Sequence, residues 1–378
     1  MTAPGDRAYL DWNASAPLRA EARDALLAAL DRFGNPSSPH REGREARALL
    51  ESSREDVAAL MGCEPGEVVF TSGGTEANNL ALASLAAGAR LRCFAAARLE
   101  HPSVLRPLEA LVDSGWEARW MPLGEDGCAE PFVSAEVGFG VLQAANHETG
   151  ALQPVGQFRG EAEEAGLPWH CDATQAWGRV PLRAGDLGCA TASLSGHKLG
   201  AAKGVGALFM RRGGRVEPLL LGGVQERGRR AGTENLPGIA SLAAACACAA
   251  RDRAADAAWT QGLRDRVVSA VQGLVPLAWW NGPEDPARRL PNTASLSFPG
   301  IDGETLVQAL DLEGVAVSAG TACASGAGEP SPVLAALGIS EWRVRGAIRV
   351  SLGPTSRPED VDRFLNALAR VLPRLKGE

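Results

Sequence analysis

Val68-Val69-Phe70-Thr71-Ser72-Gly73-Gly74-Thr75-Glu76-Ala77-Asn78-Asn79 is a short β-type run that breaks at a pair of glycines and opens into a helical stretch, Leu80 to Ala87. A strand that feeds a helix through a tight Gly turn is the repeating unit of α/β folds. Upstream, Ala46, Leu49, Leu50, Val57 and Leu60 recur at helical spacing before the turn Cys63-Glu64-Pro65-Gly66. Downstream, apolar runs at 92–97, 137–145, 167–171, 191–195 and 205–210 are separated by helical or Gly/Pro-containing segments, a spacing that fits crossover connections in a mainly parallel sheet. After about residue 250 the pattern changes. A polar helical segment at 251–274 leads to strand-like runs at 293–298, 315–318 and 347–351, alternating with helical segments at 303–313 and 358–373. The fold class expected is therefore α/β, with a large domain at 15–250 and a smaller α+β domain made from 1–14 and 251–378.

Composition narrows the function. The 378 residues are 45% hydrophobic and 22% charged, proportions of a globular chain with a sizeable core. A formal net charge of −7 argues against a surface built to neutralise phosphate backbones, so nucleic acid is not an expected partner. No stretch of about 18 apolar residues occurs, and the N-terminus lacks the basic and apolar regions of a leader; a cytoplasmic protein is expected, without membrane contact. Eight cysteines at irregular spacing make no disulfide framework, and Cys246 and Cys248, lacking further ligands nearby, read as small core residues of an Ala-rich helix, with no metal expected. Of 38 basic side chains only Lys198, Lys203 and Lys376 are lysines, so amine chemistry has three candidates.

Three segments carry chemistry. In Ser72-Gly73-Gly74-Thr75, exposed amides at a helix start and a hydroxyl suit an anion; taken alone, this also reads as a plain strand-to-helix turn. Trp169-His170-Cys171-Asp172 ends an apolar strand on a carboxylate at the sheet edge where open α/β folds bind ligands, or else on a helix cap. Ser193-Leu194-Ser195-Gly196-His197-Lys198 ends another strand on hydroxyl, imidazole and amine, and a buried lysine there would act as a nucleophile, whereas Lys203 in AAKGVG reads as a solvated loop lysine. Together they supply what pyridoxal phosphate requires: a lysine for its aldehyde, an acid at its ring nitrogen and donors for its phosphate.

The chain resembles the cysteine desulfurases of the NifS/IscS type, in the class V branch of the fold type I pyridoxal phosphate enzymes. The likeness runs from Tyr9-Leu10-Asp11 and Gly34-Asn35-Pro36-Ser37-Ser38 through SGGTEANN, Glu100-His101-Pro102, Asn146-His147-Glu148-Thr149-Gly150, DATQAWG, SGHKLGAAKGVGAL and GGVQERGRRAGTEN to Ile348-Arg349-Val350-Ser351-Leu352-Gly353. It implies pyridoxal 5'-phosphate bound through Lys198, with Asp172 at the pyridine nitrogen, Gln175 and His147 at the phenolic oxygen, and His101 stacked on the ring and assisting proton transfer. Gly74, Thr75, Ser195 and His197 match phosphate-binding positions, and Thr233 the one that reaches the phosphate of the neighbouring subunit, which implies a homodimer. Arg349 matches the arginine that grips the substrate carboxylate, and Asn13 a residue beside it.

One further match sets the reaction type. Cys323 lies in Gly320-Thr321-Ala322-Cys323-Ala324-Ser325-Gly326-Ala327-Gly328-Glu329-Pro330-Ser331, a segment of small residues, and aligns with the persulfide-forming nucleophile. The resemblance implies removal of sulfur from L-cysteine to give L-alanine and a persulfide for a scaffold or carrier protein, in iron–sulfur cluster assembly or thio-cofactor and tRNA thiolation. The rivals are a selenocysteine lyase, cysteine sulfinate lyase or aminotransferase of the same class, and a non-catalytic adaptor that keeps the fold. Four departures from the family pattern stand out: His147 where Asn is usual, a shortened stretch from Gly127 to Gly140 expected to have lost a surface helix, Ala324 in place of a hydroxyl residue after the nucleophile, and a chain that stops soon after its last helix.

Overall fold

The computed structural model describes residues 7–319 and 330–376. Its centre is a seven-stranded sheet in the order Val68–Thr71, Gly206–Met210, Thr191–Ser195, Trp169–Asp172, Phe139–Val141, Cys93–Ala96, Glu117–Trp120. Five strands, from 191–195 to 117–120, run parallel, and Gly206–Met210 lies antiparallel between Thr191–Ser195 and Val68–Thr71. Six of the seven are buried on every residue, as expected of strands covered by helices on both faces. The seventh, Glu117-Ala118-Arg119-Trp120, is a partly exposed edge whose charged residues discourage further pairing.

Register brings the chemical segments together. Gly206 pairs with both Thr71 and Ser195, and Asp172 with Ser193, so the ends of three strands and the turns that follow them share one sheet edge. Gly206 is needed there because a Cβ would lie 2.7 Å from Gly73 Cα and 2.6 Å from Leu194 O.

A second hydrophobic cluster joins the N-terminal Ala8 and Leu10 to Leu263, Val267 and Val271 and to the C-terminal strands and helices. Here Thr293–Ser297 pairs antiparallel with Ala347–Ser351 and with Trp279–Trp280, while Ala8–Tyr9 pairs parallel with Val315–Ala316. The mainly parallel sheet with helices and the smaller α+β unit match the expected fold class.

Two local expectations need correction. The change of pattern at residue 250 is no break: Leu236–Leu274 is one helix of 39 residues. Its first half packs on the helices Ala20–Leu30 and Arg41–Met61, its second half on the C-terminal cluster, so the change of composition marks a change of packing partner. The strand expected at 137–145 is shortened to Phe139–Val141, although Leu142 and Ala144 still donate backbone hydrogen bonds to His170 and Asp172. Where the short stretch from Gly127 to Gly140 suggested a trimmed surface helix, no helix lies between Trp120 and Phe139. Among the described residues no helix is long and apolar enough to cross a membrane.

Candidate active site

Asp172 is 5% exposed at the end of its strand. Its Oδ1 accepts from the Thr174 amide and hydroxyl, at 3.0 and 2.7 Å, and from Ser193 Oγ, which fixes the turn after the strand. Its Oδ2 accepts from Asn78 Nδ2 at 2.9 Å and can receive a further donor at its second lone pair. Burial alone would raise the Asp172 pKa, but the nearby His101 and the Thr174 hydrogen bonds outweigh it and hold the group below the usual carboxylate value. Glu100 is pushed the other way: burial first, then the charge of Asp172, raise it well above the ordinary carboxyl value. The two neighbouring carboxyls are thus driven in opposite directions, Asp172 toward the ionised form and Glu100 toward the protonated one.

Lys198 closes the 3-10 turn Gly196–Lys198 that follows the strand Thr191–Ser195. Its Nζ donates to the carbonyls of Asn13 and Ala14, at 2.6 and 2.9 Å. Gln175 Nε2 donates to the same Asn13 carbonyl at 3.1 Å, and the Asn13 side chain donates to the His147 carbonyl at 3.2 Å. The N-terminal segment thereby ties the amine to the rest of the site. Lys203 is exposed, as expected.

His101 caps the helix Pro102–Asp113, and its ring stands 5.4 Å from that of His147 at an interplanar angle of 73°. Burial lowers the pKa of both, His147 the more, where the cations of Arg349 and Lys198 add to the effect, so both rings are neutral near pH 7. His147 sits beside His101, and its neutral form retains one donor nitrogen. Ser195 is 5% exposed and His197 half-buried, its Nδ1 3.3 Å from Ser15 Oγ. Gly74 and Thr75 begin the helix Gly74–Gly88; a Cβ on Gly74 would stand 3.0 Å from Thr174 Cγ2 and 3.2 Å from Ser195 Cβ, so the glycine keeps the cradle open.

Arg349 is 2% exposed on the strand Ala347–Ser351. It donates to Asp11 Oδ1 at 2.7 Å and to the His147 carbonyl at 3.0 Å, while its buried Nε has no hydrogen-bond partner. A buried donor left unmade is costly, and a ligand carboxylate would satisfy it. Arg349→Lys is therefore expected to raise KM for an amino-acid substrate about 10- to 100-fold with a smaller change in kcat. Unchanged KM in steady-state kinetics contradicts that assignment.

Cys323 lies outside the described residues. The chain on either side of it is tied to the site: Ser318 exchanges backbone hydrogen bonds with Arg349, and Ser331 Oγ donates to the buried Glu148 beside His147. The other seven cysteines are buried or half-buried, and burial raises the thiol pKa of each. Thr233, by contrast, is exposed.

Sequence reasoning missed Asn78, Ser103, His170 and the Asp11 partner of Arg349. Two adjacent asparagines inside a helix were the available signal, since asparagine is a poor helix-interior residue unless its side chain has work elsewhere. His170 has no exposed surface, and burial holds its pKa down to about 4; His197, half-buried and next to the Lys198 cation, is also lowered to about 4. The unfolded chain binds these protons near 6.5, so stability is full above 6.5 and falls as pH drops toward 4. The urea midpoint should decline across that window, and less steeply in His170→Gln. An equal decline in both proteins contradicts the burial argument.

These residues supply an amine, an ionised acid, an open anion cradle and a buried guanidinium at one edge, and so fit pyridoxal 5'-phosphate. Residues 8–364 match the family described as aminotransferase class-V. The chain is 36% identical over 376 residues to the cysteine desulfurase IscS of Dictyoglomus turgidum, covering 97% of this chain and 95% of that one. It is 37% identical over 377 residues to the cysteine desulfurase NifS of Azotobacter vinelandii, covering 98% and 93%. A solved NifS-like protein superposes with a TM-score of 0.90 at 33% identity, covering 98% of this chain and 100% of the other. With its sheet edge and its kinship agreeing, the chain belongs to the class-V aminotransferase family of pyridoxal 5'-phosphate enzymes, in the NifS/IscS group of cysteine desulfurases.

Proposed function

We propose that the chain removes sulfur from L-cysteine, releasing L-alanine, with Lys198 as the base and Cys323 as the first sulfur acceptor. The observation that carries the reading is the meeting of the Lys198 amine, the ionised Asp172 and the neutral His101 at the edge to which both flanks of residues 320–329 are tied. Bound pyridoxal 5'-phosphate supplies an aldehyde for the substrate amine and a ring that takes up electron density from Cα. Lys198 would hold the cofactor and move the Cα proton. Asp172 would keep a proton at the ring nitrogen, Gln175 and His147 would hold the phenolic oxygen, and His101 would serve as proton donor and acceptor. Gly74, Thr75, Ser195 and His197 would hold the phosphate. Arg349, with Asn13 beside it, binds the substrate carboxylate. The Cys323 thiolate attacks the substrate Sγ: an S–S bond forms, the Cβ–S bond breaks, and the electron pair left on Cβ takes up a proton to give alanine.

Two structural units divide this work, residues 15–250 holding the cofactor, and 1–14 with 251–378 holding Cys323 and Arg349. A hydrophobic cluster drawn only from Ala8, Leu10 and residues after 262 supports that division, while Leu290, Val333, Leu334 and Val344 pack with the core of the larger unit. A scaffold or carrier protein then takes the persulfide sulfur.

A homodimer completes the phosphate site through Thr233 of the partner subunit. Leu221 and Val224, each 85% exposed on the segment that leads to Thr233, support this, since adjacent exposed apolar residues mark an interface. The segment is held at its base by Glu226, which bonds Arg54 and the Phe70 amide, and by Arg230 with Glu76. Thr233→Ala should raise the cofactor dissociation constant about tenfold, with the dimer intact by sedimentation. A monomer that keeps its full complement of cofactor contradicts the shared site. For the reaction itself, purified enzyme should release alanine and sulfide in equal amounts from L-cysteine, and formation of a keto acid, or turnover of selenocysteine alone, contradicts the proposal.

A further inference from the structure

Behind the edge lies a closed set of side chains that the reaction above does not use. Asn78, 1% exposed, is its hub. The Asn78 side-chain amide is 2.9 Å from His170 Nε2 at its oxygen, and its nitrogen donates to Asp172 Oδ2 at 2.9 Å and to Ser103 Oγ at 2.8 Å. Ser103 Oγ is in turn 2.7 Å from His101 Nδ1, and His170 Nδ1 is 2.9 Å from Thr191 Oγ1.

Donor and acceptor counting orients the whole set. An ionised carboxylate only accepts, so the amide nitrogen of Asn78 must face Asp172 and its oxygen must face His170. His170 is neutral and carries one ring proton, which must then sit on Nε2, leaving Nδ1 to accept from Thr191. Ser103 Oγ receives the second Asn78 proton and so gives its own to His101 Nδ1, which also accepts from the Ser103 amide at 3.1 Å. The ring proton of neutral His101 is thereby placed on Nε2.

We infer that Asn78 is a positioning residue that holds the Asp172 carboxylate through its amide nitrogen, with His170 locking the amide in the one orientation that does so. The inference rests on the reading of Asp172 as a cofactor contact. Turned the other way, the Asn78 amide would set its oxygen against the Asp172 carboxylate. The other titratable groups around the set are Glu100 beside Asp172, and His147 and Lys198 beside His101. The Asn78 amide itself bonds Asp172, Ser103 and His170.

The test uses full-length enzyme loaded with cofactor and labelled with 15N histidine; with only five histidines, assignment is tractable. Wild type should show His101 and His170 each as a single Nε2–H tautomer. Asn78→Leu should free His170 from its single tautomer and shift the pH midpoint of the cofactor's visible absorbance by about one unit, because Asp172 loses a donor to its charged form; His101, whose Nδ1 keeps the Ser103 amide, should stay Nε2–H. His170→Phe should repeat the absorbance shift in weaker form, and His170→Gln, whose amide can donate to the Asn78 oxygen, should restore the wild-type midpoint. The His170 pair decides the matter should Asn78→Leu fail to fold. An unchanged midpoint with His170 still a single tautomer in Asn78→Leu, or an unchanged midpoint in His170→Phe, overturns the inference. A His170 tautomer change with no absorbance shift in Asn78→Leu keeps the Asn78 link and removes Asp172 from the cofactor instead.

Discussion

Replacing Lys198 with alanine should lower sulfide release from L-cysteine by about 10⁴-fold, the largest loss expected of any single substitution. Lys198 is asked to do two things with one atom, to carry the cofactor and to move the Cα proton, and no other amine can stand in. Lys203 is exposed on the loop after Lys198, and Lys376 lies at the far end of the last helix. Arg179, which lines a cavity with Lys198, is engaged with Gln175, and a guanidinium held near 10 by burial stays protonated at neutral pH. Borohydride reduction of the loaded wild-type enzyme followed by peptide mapping should place the pyridoxyl group on Lys198. A label on Lys203, or wild-type turnover in Lys198→Ala, contradicts the assignment.

Cys323→Ala should differ in kind. Cofactor binding and the absorbance change on adding cysteine should persist, while sulfide and alanine production fall about 10³-fold or more, because only the attack on Sγ is lost. The competing thiol nearest the chemistry in sequence is Cys171, next to Asp172. It is fully buried, its thiol pKa is pushed well up by burial and then by the neighbouring Cys189, and it alternates in direction with Asp172 along the strand. Cys171→Ala should therefore turn over normally. Loss of turnover confined to Cys171→Ala would move the persulfide into the core.

The strand ends were legible in sequence because chemistry and punctuation coincide there. Thr191–Ser195 is a fully buried run stopped by Gly196, and the amine follows three residues after its end. Asp172 and the Gly73-Gly74 turn are marked in the same way, by an apolar run that ends on a polar or flexible residue. The helix Leu236–Leu274 was not legible as one element, because its Ala-rich half and its charged half serve different cores and carry different patterns. Glu117–Trp120 was unread for a related reason: half-exposed at the sheet edge, it has neither the continuous apolar run of a buried strand nor a clean alternation. The links of Asn78 to His170 and to Asp172 span 92 and 94 residues, distances over which no local rule operates. What register contributes is the pairing of Gly206 with both Thr71 and Ser195, which turns three separate motifs into one edge.

The central claim is that sulfur from L-cysteine passes first to Cys323. The most direct measurement is peptide mass analysis of the loaded enzyme after a brief single turnover with L-cysteine labelled at sulfur, followed by alkylation to trap persulfides. The account predicts one labelled sulfur on the peptide that contains Cys323, formed together with one alanine and absent in Cys323→Ala. Labelled sulfur on another cysteine, or alanine formed with no sulfur on the protein, contradicts it.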